Sequence, residues 1–487
     1  MILGSSFRRS ILHGASWSTL GTLGTQVVNT GLFLVLGRFY MQPEDFGVIA
    51  IILLLTGFAS IFVELGFTAA LIQRNDLEES HRSSVFWLGL LVGAAVQILF
   101  CVSRDRIAVF YARPELSLMI PWSSFVFLLS SLSSVHVALL KRELNFAAIA
   151  VSNVLSQLTG AIVALFLASS GAGAWSLVAK TVLAQFVLTV AVWIACSWRP
   201  KPHFSRKALN DVFAFSAGCF GTRLFSHLAV KVDELILGKY VSVSALGLYS
   251  SAVRIVMLPI SLVKSQIVSV FFPALSSIQN DHQRVKSISL RLSSTLAVAG
   301  FPVLFFLAGA SRSLILALLD PSWLEMQHVL IMLSLIGAME ISIFPGVIYM
   351  SQGNSEGYFR LMIGAKSVTS AGIILGVMLG GLNGLLAGML AASALNYVPY
   401  LYFSGRLIGM TVWEQLKVNA FPYFASAFAA VVVFQIECSE PNQAVSALLL
   451  QLFVFGGIIG VAYVLARPYP IQPSLTYTLR LIRQTGP

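Results

Sequence analysis

Residues 47 to 71 read GVIAIILLLTGFASIFVELGFTAAL, and Glu64 is the lone charged side chain among them. As a helix this stretch would be apolar on nearly every face. A run of about 20 apolar residues matches the hydrocarbon thickness of a bilayer, where a helix satisfies its own backbone hydrogen bonds without water. The stretch therefore predicts a single membrane-spanning helix over 47–71.

Runs of this kind recur along the whole chain of 487 residues, of which 57% are hydrophobic and only 10% charged. Reading for them gives about fourteen spans. They lie near 12–36, 47–71, 84–103, 117–139, 148–169, 175–197, 212–237, 245–271, 291–310, 325–350, 358–379, 382–404, 419–436 and 444–466. Membrane β-barrels are excluded, because their strands alternate apolar and polar residues over about ten positions. The fold class is an all-α polytopic membrane protein.

The basic residues orient it. Nineteen Lys and Arg fall on segments assigned to the cytoplasm, among them Arg74, Arg82, Lys141, Arg142, Arg199, Lys201, Arg206, Lys207, Lys286 and Lys417. Six, namely Arg38, Arg104, Arg106, Arg113, Lys239 and Arg312, fall on the other side, and six more lie within spans. This bias places both termini in the cytoplasm. Arg8 and Arg9 precede a run too long for a signal core, so the first span is expected to be retained. The net charge of +11 then reports topology and attraction to anionic membrane lipid, and calls for no nucleic-acid partner. Four cysteines show no metal-ligand spacing and read as small buried hydrophobes.

No segment between spans exceeds roughly twenty residues, and no phosphate-binding Gly-rich loop is present. There is no room for a soluble nucleotide or cofactor domain. An ATP-driven pump and a glycosyltransferase with an external catalytic domain are thereby disfavoured, and no enzymatic activity or cofactor is expected. Coupling to H+ or Na+ is the expected energy source, with chemistry confined to polar residues inside the bilayer.

The chain also repeats. LGRFYMQPEDFGVIA (36–50) and LGKYVSVSALGLYSSA (237–252) each carry Leu-Gly-basic-aromatic, followed by a Gly nine or ten residues later. Six spans separate the two, an even number, so the halves share one orientation, as in transporters built from parallel repeats. The expected organisation is an N-lobe of helices 1–6 (1–200), a C-lobe of helices 7–12 (201–408), and two extra helices with a cytoplasmic tail (409–487).

The halves differ in charge. In the seventh span Arg223, His227 and Lys231 are spaced i, i+4, i+8, with Glu234 at i+11, on nearly one helix face. The corresponding positions in the first span are Thr22, Gln26 and Thr30, with Asn29 alongside. A charged stripe cannot face lipid, since each charge costs roughly 2.5–3.5 kcal/mol at the membrane centre. Two readings stand: an internal ion-pair network of Lys231, Asp233 and Glu234, or a site awaiting an anion. Arg254 and Lys264 add cations in the eighth span, and Arg suits phosphate oxygens through its bidentate fork. The candidate substrate site is therefore Arg223, His227, Lys231, Arg254, Lys264, Gln26 and Asn29, with Asp233, Glu234, Glu64 and Glu340 as candidates for coupling or gating. Pro43, Glu44 and Asp45 read as a helix cap.

Several segments together carry a resemblance: LGRFYMQPEDFG (36–47), LGFTAALIQRNDLEESHRSSVFW (65–87), LLKRELNF (139–146), GAGAWSLV (171–178), WRPKPHFSRKAL (198–209) and VDELILGKYVSVSALGLYSSAVRI (232–255). They resemble the bacterial polysaccharide transporters, flippases for lipid-linked repeat units of exopolysaccharide, capsule and O-antigen, in the superfamily that also holds the multidrug extruders. The resemblance implies two six-helix lobes around a central cavity, moving undecaprenyl-diphosphate oligosaccharide from inner to outer leaflet of the bacterial inner membrane, alongside a polysaccharide polymerase and export complex. Asp233 matches an acidic position of the family, whereas the Arg223 and His227 stripe rests on the physical argument. Two alternatives remain at this point: a cation-coupled drug exporter of the same superfamily, disfavoured by a net positive site, and a membrane-embedded polymerase or ligase, disfavoured by the lack of a long external loop.

Overall fold

A computed structural model describes residues 5–64, 66–74, 76–436 and 441–465. Among them are sixteen α-helices: α1 (Ser5–Phe39), α2 (Pro43–Glu64), α3 (Phe67–Gln73), α4 (Glu79–Phe110), α5 (Leu116–Arg142), α6 (Phe146–Ser169), α7 (Trp175–Ala195), α8 (Arg206–Tyr240), α9 (Val243–Ser277), α10 (His282–Gly309), α11 (Ser311–Leu318), α12 (Met326–Ile341), α13 (Pro345–Ser351), α14 (Ser355–Arg406), α15 (Val412–Phe434) and α16 (Ala444–Leu465). Twelve helices are long and apolar enough to cross a membrane, so the protein is a multi-pass membrane protein. Two of the expected spans are not separate members of that set. The seventh lies in α8, which carries Arg223, Lys231, Asp233 and Glu234. Those at 358–379 and 382–404 are the two arms of α14, whose backbone leaves helical geometry at Gly380 and Gly381.

The 47–71 run is corrected by the structure: it does not form one helix. α2 ends at Glu64, Gly66 adopts a left-handed backbone (φ +72°), and the chain restarts as the short α3. Only glycine takes that conformation without a Cβ penalty. The exposed carbonyls at the end of α3 are then satisfied from outside, because Arg142 donates to the carbonyls of Leu71 (3.0 Å) and Arg74. The expected span at 325–350 is likewise two helices, since Pro345 opens α13 and α12 stops at Ile341.

Contacts divide the chain into two compact units, 1–247 and 248–487. The boundary falls later than the repeat boundary at 200/201 because α8 packs on α2, α3 and α4. The first unit has an apolar core of Phe67, Leu71, Phe86, Val135, Leu139 and Val192, which joins α3, α4, α5 and α7. In the second, α10 packs on α12 and α15, and α16 packs on α11 and α15.

The parallel repeat extends to turn chemistry. In the first unit Leu144 takes a positive φ of 57°, and the next residue, Asn145, caps α6 by accepting the Ala148 N–H at 3.2 Å. In the second unit Gly353 takes a φ of 70°, and Asn354 caps α14 by accepting the Gly357 N–H at 2.9 Å. Glycines with positive φ also turn both following hairpins, Gly171 between α6 and α7 and Gly381 within α14.

Candidate functional site

α8 is the charged helix of the first unit, and it is held at both ends. Near its N-terminus Asp211 meets the Arg74 guanidinium at 3.4 Å and His81 Nε2 at 3.5 Å. Near its C-terminus Lys239 Nζ donates to the Phe110 carbonyl at 2.5 Å and stands 4.1 Å from the Phe110 ring centroid. The segment before α8 is stitched to α4 as well. The Trp198 indole donates to Glu79 (2.9 Å), Trp87 donates to the Lys201 carbonyl (2.8 Å), and the Ser205 N–H donates to Ser84 Oγ (2.8 Å).

Between these anchors lies the predicted stripe. His227 rests against α2 where Gly57 leaves room: a Cβ on Gly57 would stand 3.3 Å from the imidazole. Phe58 is 6.4 Å away, ring to ring. Lys231 pairs with Glu234 one turn on, and Glu234 is buried at 8% exposure. The Glu234 N–H donates to the Asp233 carboxylate at 2.9 Å. The ion-pair reading therefore holds for Lys231 and Glu234, as a buried carboxylate requires a partner. The side chains of Arg223 and Glu64 lie outside the described residues.

In the second unit Arg254 is half-buried on α9. Lys264, also on α9, donates to the Glu340 backbone carbonyl at 2.6 Å. That carbonyl belongs to the last turn of α12, where the helix dipole favours a cation. Lys264 thus seals a broken helix end, a structural task. The Glu340 side chain is exposed.

Two residues of the polar stripe of α1, Thr22 and Asn29, line a cleft towards α6. The residues facing α6 are Ser18, Thr22, Thr25 and Asn29, and with Asn153 and Gln157 they line a cleft of about 350 Å³. Gln26 is half-buried but is not part of this lining. Beside the cleft the two helices approach closely, with Gly21 against Ala150 and Gly24 against Val154. Lys180 of α7 donates to Asn29 Oδ1 at 2.5 Å. Sequence reasoning missed Asn153, Gln157 and Lys180; carboxamides at i and i+4 of an otherwise apolar span were the available signal.

The helix-cap reading of Pro43, Glu44 and Asp45 gains a further role. Asp45 accepts the Gln42 N–H at 3.0 Å, and its other oxygen accepts the Ala174 N–H at 3.2 Å, tying α2 to the turn before α7. Glu44 pairs with Arg113 at 2.5 Å.

Residues 35–328, more than half of the chain, match the family described as polysaccharide biosynthesis protein. The chain belongs to this family. Among relatives, it is 24% identical to the teichuronic acid biosynthesis protein TuaB of Bacillus subtilis over 96% of this chain and 98% of that one. It is 26% identical to the succinoglycan biosynthesis transport protein ExoT of Rhizobium meliloti, covering 87% and 86%. The lipopolysaccharide biosynthesis protein WzxC of Escherichia coli is 22% identical, covering 88% of each. Among solved structures, the lipid II flippase MurJ in an inward closed conformation superposes with a TM-score of 0.74 at 17% identity, covering 92% of this chain and 98% of that one. An inward-facing multidrug resistance MATE family transporter gives 0.55 at 14% identity, covering 83% and 95%. These likenesses give this family member its fold.

Proposed function

We propose that the protein is a flippase for lipid-linked oligosaccharide repeat units in the bacterial inner membrane, with both termini cytoplasmic, serving exopolysaccharide, capsule or O-antigen synthesis. It acts as a transporter, not an enzyme. The observation that carries this reading is α8: a 35-residue helix with Arg223, His227 and Lys231 spaced along one face, packed on α2, α3 and α4. The relatives named for polysaccharide biosynthesis supply the substrate class.

A diphosphate crossing the bilayer loses its hydration, and buried cations replace it. Lys231 is committed to Glu234 and Lys264 to a helix end. Arg223 is the α8 cation proposed to meet the anion, with His227 one turn further along the same helix face; Arg254 of the second unit is proposed for the same role. Asp233 and Glu340 are the acids proposed for coupling or gating, driven by H+ or Na+.

The test is a pair of substitutions. Arg223→Lys keeps the charge but loses the fork and lowers transport partially; Arg223→Ala abolishes it at normal membrane abundance. A charge-assisted contact of about 1.5–3 kcal/mol corresponds to a roughly ten- to more than hundredfold loss of binding. The readout is lipid-linked oligosaccharide accumulating on the inner leaflet. Normal export by Arg223→Ala rejects the site.

A further inference from the structure

The cleft between α1 and α6 has no part in the diphosphate argument, yet it is the described polar cavity of the first unit. Its polar lining consists of hydroxyls and carboxamides, Ser18, Thr22, Thr25, Asn29, Asn153 and Gln157, beside the apolar Phe146, Ile149 and Ala150. Polar side chains inside a membrane ordinarily serve as glue between helices. That explanation covers Asn29, which Lys180 of α7 holds, and not the rest. Thr22 donates back to the Ser18 carbonyl and Thr25 to the Thr22 carbonyl, both at 2.9 Å. Among the described residues, no side-chain hydrogen bond joins these α1 groups to Asn153 or Gln157. The helices are instead held together by close glycine contacts at Gly21 and Gly24.

The hydrogen-bonding inventory of the cleft is consequently specific. Thr22 and Thr25 have spent their protons on backbone carbonyls and offer lone pairs. Asn29 accepts from Lys180 through its oxygen, which leaves its NH2 as a donor. Asn153 and Gln157 offer both donors and acceptors. Such a mixed neutral set matches the hydroxyls of a sugar, each of which donates once and accepts twice, and it does not match a diphosphate, which only accepts. The volume of about 350 Å³ lies within the range of small-molecule sites. From Phe146 to Gln157 the cleft follows α6 for about 16 Å from its N-terminal end, on the side where the sequence bias places the cytoplasm.

We infer that this α1/α6 cleft is a sugar-binding subsite of the protein, taking the neutral glycosyl part of the head group separately from the cations that take its diphosphate. The inference rests on the flippase reading for its ligand, and its test separates the two.

The full-length protein in detergent is titrated with two probes. One is undecaprenyl diphosphate without sugar; the other is the oligosaccharide repeat unit released by mild acid from the source bacterium's lipid-linked intermediates. Asn153→Ala combined with Gln157→Ala lowers affinity for the oligosaccharide at least fivefold, since two neutral hydrogen bonds are lost, and shifts affinity for undecaprenyl diphosphate less than twofold. Thr25→Val, nearly isosteric, repeats the selective loss to a smaller degree. Retained binding of undecaprenyl diphosphate certifies that each variant is folded. A wild-type protein that binds the diphosphate lipid but not the oligosaccharide overturns the subsite alone. Equal losses for both probes, or no loss for the oligosaccharide, overturn it as well. A wild-type protein that binds neither probe overturns the flippase reading together with it.

Discussion

Lys231 and Glu234 show how one spacing can serve two physical ends. Read as a stripe, Lys231 belongs with Arg223 and His227; in the structure its ammonium closes on a carboxylate of 8% exposure. Removing one member of a buried pair leaves an uncompensated charge, which costs more than the pair itself contributes. Lys231 is itself about one third exposed, so water offsets part of that loss, and the expected cost is about 1–3 kcal/mol. Lys231→Ala is therefore expected to lower the abundance and thermal stability of the protein, and adding Glu234→Gln to restore both. Fluorescence-detected size-exclusion after a temperature ramp measures this. Failure of the double variant to recover would mean that Glu234 serves another partner. Arg223→Ala, in contrast, should leave this readout unchanged while stopping export.

At the level of elements, the short helix α3 depends on a residue 71 positions away. Arg142 satisfies the carbonyls of Leu71 and Arg74, so Arg142→Ala exposes an uncapped helix end beneath a buried core of Phe67 and Leu71. A loss of about 1–3 kcal/mol is expected, whereas Arg142→Lys, with one point of charge and no fork, recovers part of it. A second element prediction concerns α14. Gly372 and Gly376 of one arm face Gly388 and Gly384 of the other, and a Cβ on Gly376 would stand 2.1 Å from the Gly384 carbonyl oxygen. Gly376→Val should split this hairpin and lower the melting temperature more than Gly364→Val, since Gly364 has open space around it. Equal effects would remove the packing argument.

These elements also mark where the sequence was legible. Apolar runs gave nearly every helix, because bilayer thickness leaves few alternatives. The breaks at Gly66 and Pro345 were hidden inside those runs: hydropathy does not register a backbone that must turn left-handed or drop a donor. The GxxxG pairs flanking Gly380 and Gly381 were readable as a hairpin seam, and the expected spans there met without that reason. At the candidate site, the spacing placed Lys231 near Glu234 and singled out Thr22 and Asn29, but it did not show that these two turn towards α6. Helix rotation is set by neighbours, here Ala150 and Val154 of α6 against Gly21 and Gly24 of α1, and a single helix does not encode it.

For the whole molecule, the end contacts of α8 convert charge statistics into a measurable topology. Asp211, with Arg74 and His81, marks one end, and Lys239, with Phe110, marks the other. Along the helix these anchors are about 42 Å apart, more than the roughly 30 Å of hydrocarbon core, so α8 is long enough to reach from one membrane face to the other. The residues gathered at the first end include Arg74, Arg142, Arg199 and Lys201; those at the second include Arg113 and Lys239, with Asp45 holding the Ala174 turn. The basic excess at the first end is what the positive-inside bias predicts for a cytoplasmic face. Reporter fusions after Arg206 and after Lys286 should accordingly read cytoplasmic, and a fusion after Ala172 should read external. Because α7 separates the two fusion points, a cytoplasmic signal at Ala172 together with one at Arg206 would place both on the same side and break the topology, whereas inverted signals at all three would keep the fold and reverse the orientation that transport from the inner leaflet requires.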